Sequence, residues 1–391
     1  MKIAIVNGIY FPEPGGAQTQ SHNIANKFYD LGKKIDCYVF NPTNLKNNFY
    51  NIIVFNKLIT SVVFASYYYF NFDISFFLEV YLKKIIKVKK YDVWHFNHLN
   101  FKSLIIIKVL KKLNQKVLVT FQGADIQIEK KINYGYRIDK KYDDFLKKII
   151  KKIDGFASIS ENIKNDLLSI GVNRKKIFYV PNAIEIKKFQ NFKEKKTKKN
   201  KILKFITVAR FAEKKKGYDL VGRFTKELIK NKINFKWTII GSGTTALFDD
   251  KYIESNKQYF RIIENIDNIE EKYFPHSTLI KYYKESDLYI NLARIESFGI
   301  SFIESLASGV PVITFNKKGA NEIIINNFNG FKINSNKIKD FIKKIKFIYK
   351  NKIILRKMRN NSKNSAKQYD LTLVTKKLFK VYKIKRNKIN E

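Results

Sequence analysis

The segment from Leu288 to Ile313 constrains the fold of this chain more than any other. Its apolar beginning, Leu288–Leu292, predicts a buried strand, and the sequence Glu296-Ser-Phe-Gly-Ile-Ser-Phe-Ile-Glu304 follows that strand. Gly299 is placed to open a helix, and Val310–Phe315 returns to an apolar strand. A strand, a helix and a second strand in this order predict a parallel sheet covered by helices, with the first loop at the carboxyl end of a strand.

The same alternation of apolar strands and amphipathic stretches continues through both halves of the chain. In the first half the alternating segments are Ile3–Val6, Thr19–Leu31, Ile35–Phe40, Val93–Phe96, Leu104–Leu113, Val117–Phe121, Phe156–Ile159, Ile163–Ile170 and Ile177–Val180. In the second half they are Leu203–Val208, a helix after Gly217, Phe235–Ile240, Arg261–Ile263, Leu288–Leu292, the Gly299–Ser308 helix and Val310–Phe315. We therefore predict an α/β protein of two Rossmann-like domains, whose parallel sheets face each other across a cleft.

Composition places the domain boundaries. Residues 187–201 are mostly Lys, Asn, Glu and Gln, which predicts a solvated linker between domains at 1–186 and 202–365. The last segment, 366–391, is basic and helical in pattern. Within it, Leu371–Ile384 carries an apolar stripe formed by Leu373, Val374, Leu378, Val381 and Tyr382.

The net charge of +42 raises two possible partners, nucleic acid and an anionic membrane surface. Lys, Asn, Ile, Phe and Tyr dominate the chain, and an AT-rich genome favours the codons of those residues without any selection for charge. Most aromatic residues lie inside apolar runs instead of alternating with Lys and Arg. A basic nucleic-acid-binding protein is therefore the weaker alternative, and we expect no nucleic acid partner.

Cys37 is the only cysteine, which excludes a disulfide within the chain and fits a reducing compartment. The apolar start at Met1–Val6 is too short for a signal sequence. The most apolar region, Ile52–Leu82, is interrupted by charged and amide residues and predicts no membrane-spanning helix. We expect a cytoplasmic protein, either free or peripheral on the inner face of the cytoplasmic membrane.

Two carboxylates frame the predicted helix start. Backbone N–H groups near Phe298, Gly299 and Ile300 lie at the positive end of the helix dipole, which suits a diphosphate. Glu296 precedes this helix start, and Glu304 lies roughly 7 Å further along the helix axis, about the distance from a phosphate to a ribose. The pattern predicts a site for a nucleotide sugar.

The whole block resembles the Glu-x7-Glu signature of the retaining glycosyltransferases of family four, which have the GT-B fold. The resemblance implies that Glu296 contacts the donor sugar and that Glu304 binds the ribose hydroxyls. It also implies that the backbone at Ser297 and Phe298-Gly299-Ile300 contacts the donor phosphates. It covers almost the entire chain and implies that the helix in 366–391 crosses back to the N-terminal domain.

A cationic loop follows the predicted strand that ends at Ala209. Arg210 comes first, and Lys214-Lys-Lys216-Gly217 precedes the next helix. A cation pair at a strand end neutralises a diphosphate leaving group and allows transfer without a metal ion. The family pattern has an arginine and a lysine before glycine, which assigns Arg210 and Lys216, with Lys215 as the neighbouring candidate.

Two glycine motifs complete the expected donor site. Gly15-Gly16 follows the first strand, at the place where the family has Gly-Gly facing the donor phosphates or the acceptor. Ile239-Ile-Gly-Ser-Gly243 resembles the Gly-x-Gly of the family, so Gly241 and Gly243 are expected near the nucleotide. This motif lacks the third glycine of a dinucleotide fingerprint, which makes binding of NAD a poor interpretation.

The expected acceptor side lies in the first half. Gln122 and Asp125, in Thr120-Phe-Gln-Gly-Ala-Asp125, stand where related enzymes often have His-Gly-x-Asp, and a glutamine cannot titrate near neutrality. Asn182 belongs to a Pro-Asn-Ala-Ile segment of the family. His95 ends another strand, where it either faces the acceptor or fills a structural role. Four histidines and one cysteine give a metal site little support.

These residues together predict a metal-independent glycosyltransferase that retains configuration, with Glu296, Arg210 and Lys216 as catalytic residues. We expect a uridine diphosphate sugar as donor ahead of a guanosine diphosphate sugar, and no cofactor. The acceptor is expected to be a hydroxyl of a glycan or lipid-linked saccharide in cell-surface polysaccharide synthesis. A non-catalytic sugar-nucleotide sensor is an alternative. A glycoside hydrolase fits less well, because Glu304 is assigned to the ribose.

Overall fold

The computed structural model describes residues 1–11, 15–43, 45, 49–192, 202–266, 271–316, 319, 322–334 and 337–384. The chain forms two compact units. The N-terminal unit comprises Met1–Asn182 together with the segment from Leu371 onwards, and the C-terminal unit comprises Ala183–Asp370.

A parallel sheet of seven described strands forms the centre of the N-terminal unit. The strand order is β3-β2-β1-β4-β5-β6-β7. The strands are β1 (Lys2–Asn7), β2 (Lys34–Val39), β3 (Asn51–Val54), β4 (Val93–Asn97), β5 (Val117–Phe121), β6 (Gly155–Ser158) and β7 (Ile177–Tyr179). Strands β1, β4 and β5 are buried along almost their whole length, as expected for a sheet with helices on both faces.

The helices of this unit are α1 (Gly16–Asp30), α2 (Lys57–Phe70), α3 (Ser75–Lys89), α4 (Phe101–Lys112), α5 (Lys140–Ile150), α6 (Glu161–Ser169) and the last helix of the chain, which is named α15 below. Local sequence sets several of their starts. Asn100 and Ser103 form a reciprocal cap at the start of α4, and the Asp139 carboxylate accepts from the first backbone N–H groups of α5.

The C-terminal unit is built on the same plan. Its six described strands are parallel, in the order β10-β9-β8-β11-β12-β13. They are β8 (Leu203–Val208), β9 (Phe235–Ile240), β10 (Phe260–Ile263), β11 (Leu288–Asn291), β12 (Val312–Phe315) and β13 (Gly330–Ile333). The helices are α7 (Ile186–Gln190), α8 (Glu213–Lys216), α9 (Val221–Lys230), α10 (Lys251–Ser255), α11 (Ser277–Lys284), α12 (Ile300–Ala307), α13 (Ile338–Lys350) and α14 (Lys352–Ala366), followed by α15 (Leu371–Tyr382) of the other unit.

The predicted fold class is confirmed, because both units are Rossmann-like and all their described strands are parallel. The strand Asn51–Val54 and helix α5 were not predicted. The first part of the predicted linker forms α7, in which Phe189 is buried, so that part is not solvated. Residues 193–201 of the predicted linker lie outside the described residues.

The last helix packs on α1 and β6 within the N-terminal unit. Four members of its predicted apolar stripe are buried, but Leu373 is 49% exposed and does not belong to the packed face. In the part of the chain that the structure describes, no helix is both long and apolar enough to cross a membrane.

Candidate active site

The carboxyl end of the C-terminal sheet brings the predicted charged residues together. Strands β8 and β11 are neighbours in the sheet, although β9 and β10 come between them in the sequence. The strand order reverses at this pair, and the carboxyl side of such a pair is where open α/β sheets bind ligands. Arg210 follows β8 and is exposed, and Glu296 follows β11.

An ion pair joins the two loops across this position. The Nζ atom of Lys216 lies 2.9 Å from Oε2 of Glu296, and both side chains are largely shielded from solvent. Burial, together with the positive charges of Lys216 and Arg210, lowers the pKa of Lys215 to about 8, while the negative charge of Glu296 acts in the opposite direction. Three cationic side chains and one carboxylate therefore share this edge, which leaves a local excess of positive charge.

Arg294 fixes the geometry of the cationic loop, and it was not singled out from the sequence. Its guanidinium forms a two-pronged ion pair with Asp219, with both N–O distances at 2.7 Å. The same group donates to the carbonyl of Lys214 at 2.7 Å, and the Arg294 backbone N–H donates to the carbonyl of Lys215. The loop after β11 thereby holds the lysine backbone in place. Arginine is scarce in this chain, and this scarcity could have drawn attention to Arg294 in the sequence.

Gly319 packs directly against the backbone of Glu296. A Cβ atom at position 319 would lie 1.9 Å from the Glu296 carbonyl oxygen, and the φ angle of Gly319 is +91°. Only glycine fits this close approach without moving Glu296. In the sequence, Gly319 follows a predicted strand and a pair of lysines, and nothing in that pattern indicates a contact with Glu296.

Helix α12 begins where the sequence predicted. Gly299 precedes it in a left-handed conformation, and Ile300 is its first residue. The Phe298 side chain is buried, with its ring centroid 5.7 Å from that of Tyr369. Ser297 is partly buried. This anchoring fixes the position of the helix start. The Phe302 N–H already donates to the Gly299 carbonyl at 3.0 Å, so the helix-start N–H groups that lack an intrahelical acceptor are those that precede it.

Glu304 lies buried further along α12. The Tyr283 hydroxyl donates to its Oε2 at 2.9 Å. Burial raises the pKa of Glu304 to about 7, while the Tyr283 hydrogen bond and the positive charge of Lys188 act in the opposite direction. The side chain therefore changes protonation near neutrality. Neither Tyr283 nor Lys188 was predicted as part of the site.

Gly241 and Gly243 lie after β9, beside the loop that carries Arg210. A Cβ atom at position 241 would lie 2.2 Å from the carbonyl oxygen of Ala209, so glycine is required where the two loops touch. The Phe211 N–H also donates to the Ser242 carbonyl at 2.8 Å. The predicted glycine motif therefore supports the position of the arginine.

The corresponding edge of the N-terminal sheet carries a chain of amides. The Gln122 side chain donates to Oδ1 of Asn97 at 2.7 Å and accepts from Nδ2 of Asn182 at 3.1 Å. Asn97 continues the chain through Ser21 to Asn7 at the end of β1. This set of residues, Asn7, Ser21, Asn97, Gln122 and Asn182, is called the amide edge below.

Asp125 and His95 have structural positions. The fully buried Asp125 carboxylate accepts from the backbone N–H groups of Leu99, Gln122 and Gly123, so it shapes the turn that presents Gln122. His95 is also buried, with Nε2 at 2.8 Å from the Thr120 hydroxyl and Nδ1 at 2.7 Å from the Tyr382 hydroxyl.

Burial lowers the pKa of His95 to about 3, and the imidazole is therefore neutral. Both ring nitrogens of His95 are engaged by Thr120 and Tyr382, which supports the structural alternative. Residues of a strand alternate between two faces, and the sequence alone did not assign the face of His95.

Gly15 and Gly16 form the start of α1 in the N-terminal unit, where Gly15 precedes the helix and Gly16 is its first residue. The Gly15 carbonyl accepts from the Thr19 N–H at 3.2 Å. The prolines of the same predicted loop, Pro12 and Pro14, lie outside the described residues. No described side chain caps this helix start, and a Cβ atom at position 15 would lie 2.6 Å from Oε1 of Gln18.

Comparison with known sequences assigns the family. Residues 14–188 match the family described as Glycosyltransferase Family 4, and residues 188–368 match the family described as Glycosyl transferases group 1. The chain belongs to glycosyltransferase family 4. The family predicted from the Glu296–Glu304 block is thus confirmed, and this chain is a glycosyltransferase.

Relatives of this glycosyltransferase match it over nearly its whole length. An alpha-monoglucosyldiacylglycerol synthase of Acholeplasma laidlawii is 26% identical and covers 94% of this chain and 93% of its own. A glycosyltransferase structure from Rickettsia africae superimposes with a TM-score of 0.76 at 19% identity, over 98% of both chains. Anabaena HepE, solved with UDP and glucose, gives a TM-score of 0.72 at 14% identity, over 97% of this chain and 98% of its own. The two structures show that the fold is shared.

Proposed function

We propose that this glycosyltransferase moves a sugar from a uridine diphosphate sugar to a hydroxyl acceptor, with retention of configuration and without a metal ion. The observation that carries the proposal is the Lys216–Glu296 pair, which lies beside Arg210 and the start of α12. A carboxylate suits sugar hydroxyls, whereas the cations and the helix start suit a diphosphate.

In the proposed reaction the bond between the anomeric carbon and the β-phosphate oxygen breaks. The acceptor oxygen forms the new bond on the same face of the sugar, and the acceptor proton passes to the departing diphosphate. Arg210, Lys216 and the N–H groups at Gly299 stabilise the charge that develops on the diphosphate. Glu296 orients the donor sugar, and Glu304 accepts hydrogen bonds from the ribose.

Uridine is favoured as the base because the fold neighbour HepE was solved with UDP and glucose. Metal independence is supported by the cations themselves. Arg210, Lys215 and Lys216 supply beside the leaving group the positive charge that a divalent ion supplies in other transferases.

For the acceptor, we propose a hydroxyl of a glycan or lipid-linked saccharide. The name of the Acholeplasma relative, an alpha-monoglucosyldiacylglycerol synthase, supports a lipid acceptor. The corresponding location is the cytoplasm, at the inner face of the cytoplasmic membrane. The amide edge supports a hydroxyl acceptor, because neutral amides both donate to and accept from sugar hydroxyls.

The first test is the thermal midpoint of the purified chain with a panel of uridine and guanosine diphosphate sugars, with EDTA and then with magnesium. A ligand at about 100 times its Kd stabilises the native state by about 2.7 kcal/mol, so a rise of several degrees is expected with uridine donors in EDTA. A response that needs magnesium would contradict metal independence. A response to RNA alone would favour the nucleic-acid alternative.

Glu296→Ala separates an enzyme from a sugar-nucleotide sensor. Donor hydrolysis and transfer to added acceptors should fall at least about 100-fold, while the midpoint rise with UDP persists, because UDP contacts the cations and the helix start. The anomeric configuration of the product, read by NMR, tests retention. Transfer at the wild-type rate by the variant would show that the proposed mechanism is wrong.

A further inference from the structure

Helices α2 and α3 carry exposed aromatic side chains on either side of the turn that joins them. Phe70 is 77% exposed, Phe72 66%, Phe76 66% and Phe77 60%. These four residues are called the aromatic turn. Single exposed apolar side chains are common on protein surfaces, but four phenylalanines within eight positions form an apolar surface of the kind that marks an interaction site.

The inward faces of the same helices are already packed. Val63 of α2 and Leu78 and Leu82 of α3 are buried, and Tyr67 packs on Phe145 with ring centroids 4.8 Å apart. The contribution of these helices to the core therefore leaves the aromatic turn unexplained. The outward face of α2 is also apolar, through Leu58, Val62 and Tyr69.

The charges around the aromatic turn are positive. Asp73 and Glu79 are the two acidic residues between positions 57 and 90. Asp73 pairs with Lys108, and Glu79 pairs with Lys83 at 2.8 Å and with Lys112 at 2.6 Å. The carboxylate of α3, Glu79, is therefore already paired, whereas Lys84, Lys87 and Lys90, on this helix and at its end, are exposed.

We propose that the aromatic turn docks on an anionic lipid bilayer. The four phenyl rings enter the boundary between headgroups and acyl chains, and the lysines at the far end of α3 contact anionic headgroups. An apolar cluster next to a run of lysines is the combination by which peripheral helices bind such surfaces. Both acidic groups between positions 57 and 90 are paired with lysines, which matches a negatively charged partner.

The position of α2 connects this surface to the amide edge. Phe64 and Tyr68 of α2 pack on Phe101, with ring centroids 5.8 Å and 5.0 Å away. Phe101 is the first residue of α4, which follows β4 and Asn97 of the amide edge. We infer that the acceptor is a membrane-anchored lipid or lipid-linked sugar. This step rests on the proposed function, whereas the docking does not.

The test is co-sedimentation of the full chain with vesicles of phosphatidylcholine alone and with added phosphatidylglycerol, at low and high salt. The wild type should bind only the anionic vesicles at low salt, and less at high salt. Replacing all four phenylalanines of the aromatic turn by serine should lower the bound fraction at least about 10-fold. Lys84→Gln with Lys87→Gln and Lys90→Gln should weaken binding to anionic vesicles.

The matched control is Phe347→Ser with Ile353→Ser, which removes exposed apolar side chains from the C-terminal unit. This control should bind vesicles like the wild type. Three outcomes would overturn the proposal. They are an equal loss of vesicle binding in the control, unchanged vesicle binding by the four-serine variant, and no vesicle binding by the wild type at low salt. So would a dimer by light scattering that the four-serine variant abolishes, because the partner would then be a second copy.

The midpoint rise with UDP should be the same in the four-serine variant and the wild type. If vesicle binding fails while UDP still stabilises the chain, only the docking surface is wrong. If vesicle binding holds but no nucleotide stabilises the chain, the docking surface stands and the proposed function fails.

Discussion

The carboxyl edges of the two sheets have the same topology and different chemistry. In each unit the first strand lies between its second and fourth strands, so the strand order reverses at an equivalent place. In the C-terminal unit this place carries Arg210, Lys216 and Glu296, whereas the amide edge of the N-terminal unit consists of amides and hydroxyls. A shared fold thus presents two sheet edges of different chemistry. Under the proposed function, the charged edge receives the diphosphate and the amide edge receives the acceptor hydroxyl.

Titratable groups follow the same division. In the C-terminal unit, Lys215 with a pKa of about 8 and Glu304 with a pKa of about 7 change charge near neutrality. In the N-terminal unit, His95 with a pKa of about 3 does not. Substitutions at the charged edge should therefore change donor chemistry, and substitutions at the amide edge should change acceptor use or stability.

The largest effect is expected at the charged edge. Arg210→Ala and Lys216→Ala should each lower kcat by about 10²–10³-fold, because each removes a charge that stabilises the leaving diphosphate. Lys214→Ala is the matched control, since the Lys214 side chain is exposed and the contact of Lys214 with Arg294 is made by the Lys214 backbone carbonyl. Initial rates of UDP release measure all three. An equal loss in the control would show that general surface charge, not this cluster, sets the rate.

A smaller effect is expected from the protonation of Glu304. Because its pKa is about 7, UDP affinity should rise as the pH increases from 6 to 8, by about 10-fold beyond the change shown by Glu304→Gln. Comparison with this variant removes the titration of UDP itself. Calorimetric Kd values at several pH values measure the difference. Parallel pH profiles for the two proteins would exclude Glu304 as the titrating group.

The same carboxyl group predicts a dependence of stability on pH. Its folded pKa of about 7 exceeds the usual value of 4.5, so the folded chain binds more protons than the unfolded chain between pH 4.5 and 7. The free energy of unfolding should therefore fall as the pH rises through this window, and Glu304→Gln should remove that part of the decrease.

At the amide edge, Gln122→Ala should raise the acceptor KM about 3–10-fold while the midpoint rise with UDP stays at the wild-type value. The reason is that Gln122 holds Asn97 and Asn182 by hydrogen bonds that cost about 1 kcal/mol each to lose. Steady-state kinetics with varied acceptor measure the change. A loss of UDP binding instead would remove the distinction between the two edges.

The smallest effect on activity is expected at His95. His95→Ala should destabilise the chain by about 2 kcal/mol, because the buried hydroxyls of Thr120 and Tyr382 lose their partner. The kcat per folded molecule should stay unchanged. Urea unfolding together with kinetics at low temperature measures both quantities. A selective loss of kcat in a fully folded variant would return His95 to the acceptor side.

Periodicity and glycine positions were enough to predict much of the fold and the donor loops. Short apolar runs gave the strands around Glu296, and Gly299 gave the start of α12, because both signals are local in sequence. The Lys216–Glu296 contact joins residues 80 positions apart, so no local pattern specifies it. The burial of His95 depends on Tyr382 from the end of the chain, which strand patterning at β4 does not include.

Exposure was the other property that the sequence did not reveal. The apolar and aromatic sequence of α3 fits a buried helix as well as an exposed one, because both need apolar residues in helical positions. The structure separates Leu78 and Leu82, which are buried, from Phe76 and Phe77, which are not. Only the packing partners of each face distinguish the two cases.

The N-terminal unit is discontinuous in sequence, since α15 supplies Tyr382 to His95 and stacks on Phe28 with ring centroids 5.4 Å apart. The first 182 residues therefore emerge from the ribosome long before the helix that completes their core is synthesised. Until then the N-terminal unit has an uncovered apolar face, while the C-terminal unit is translated and folds. Translation speed and chaperone supply should thus govern the yield of the first unit more than that of the second, although the first is made earlier.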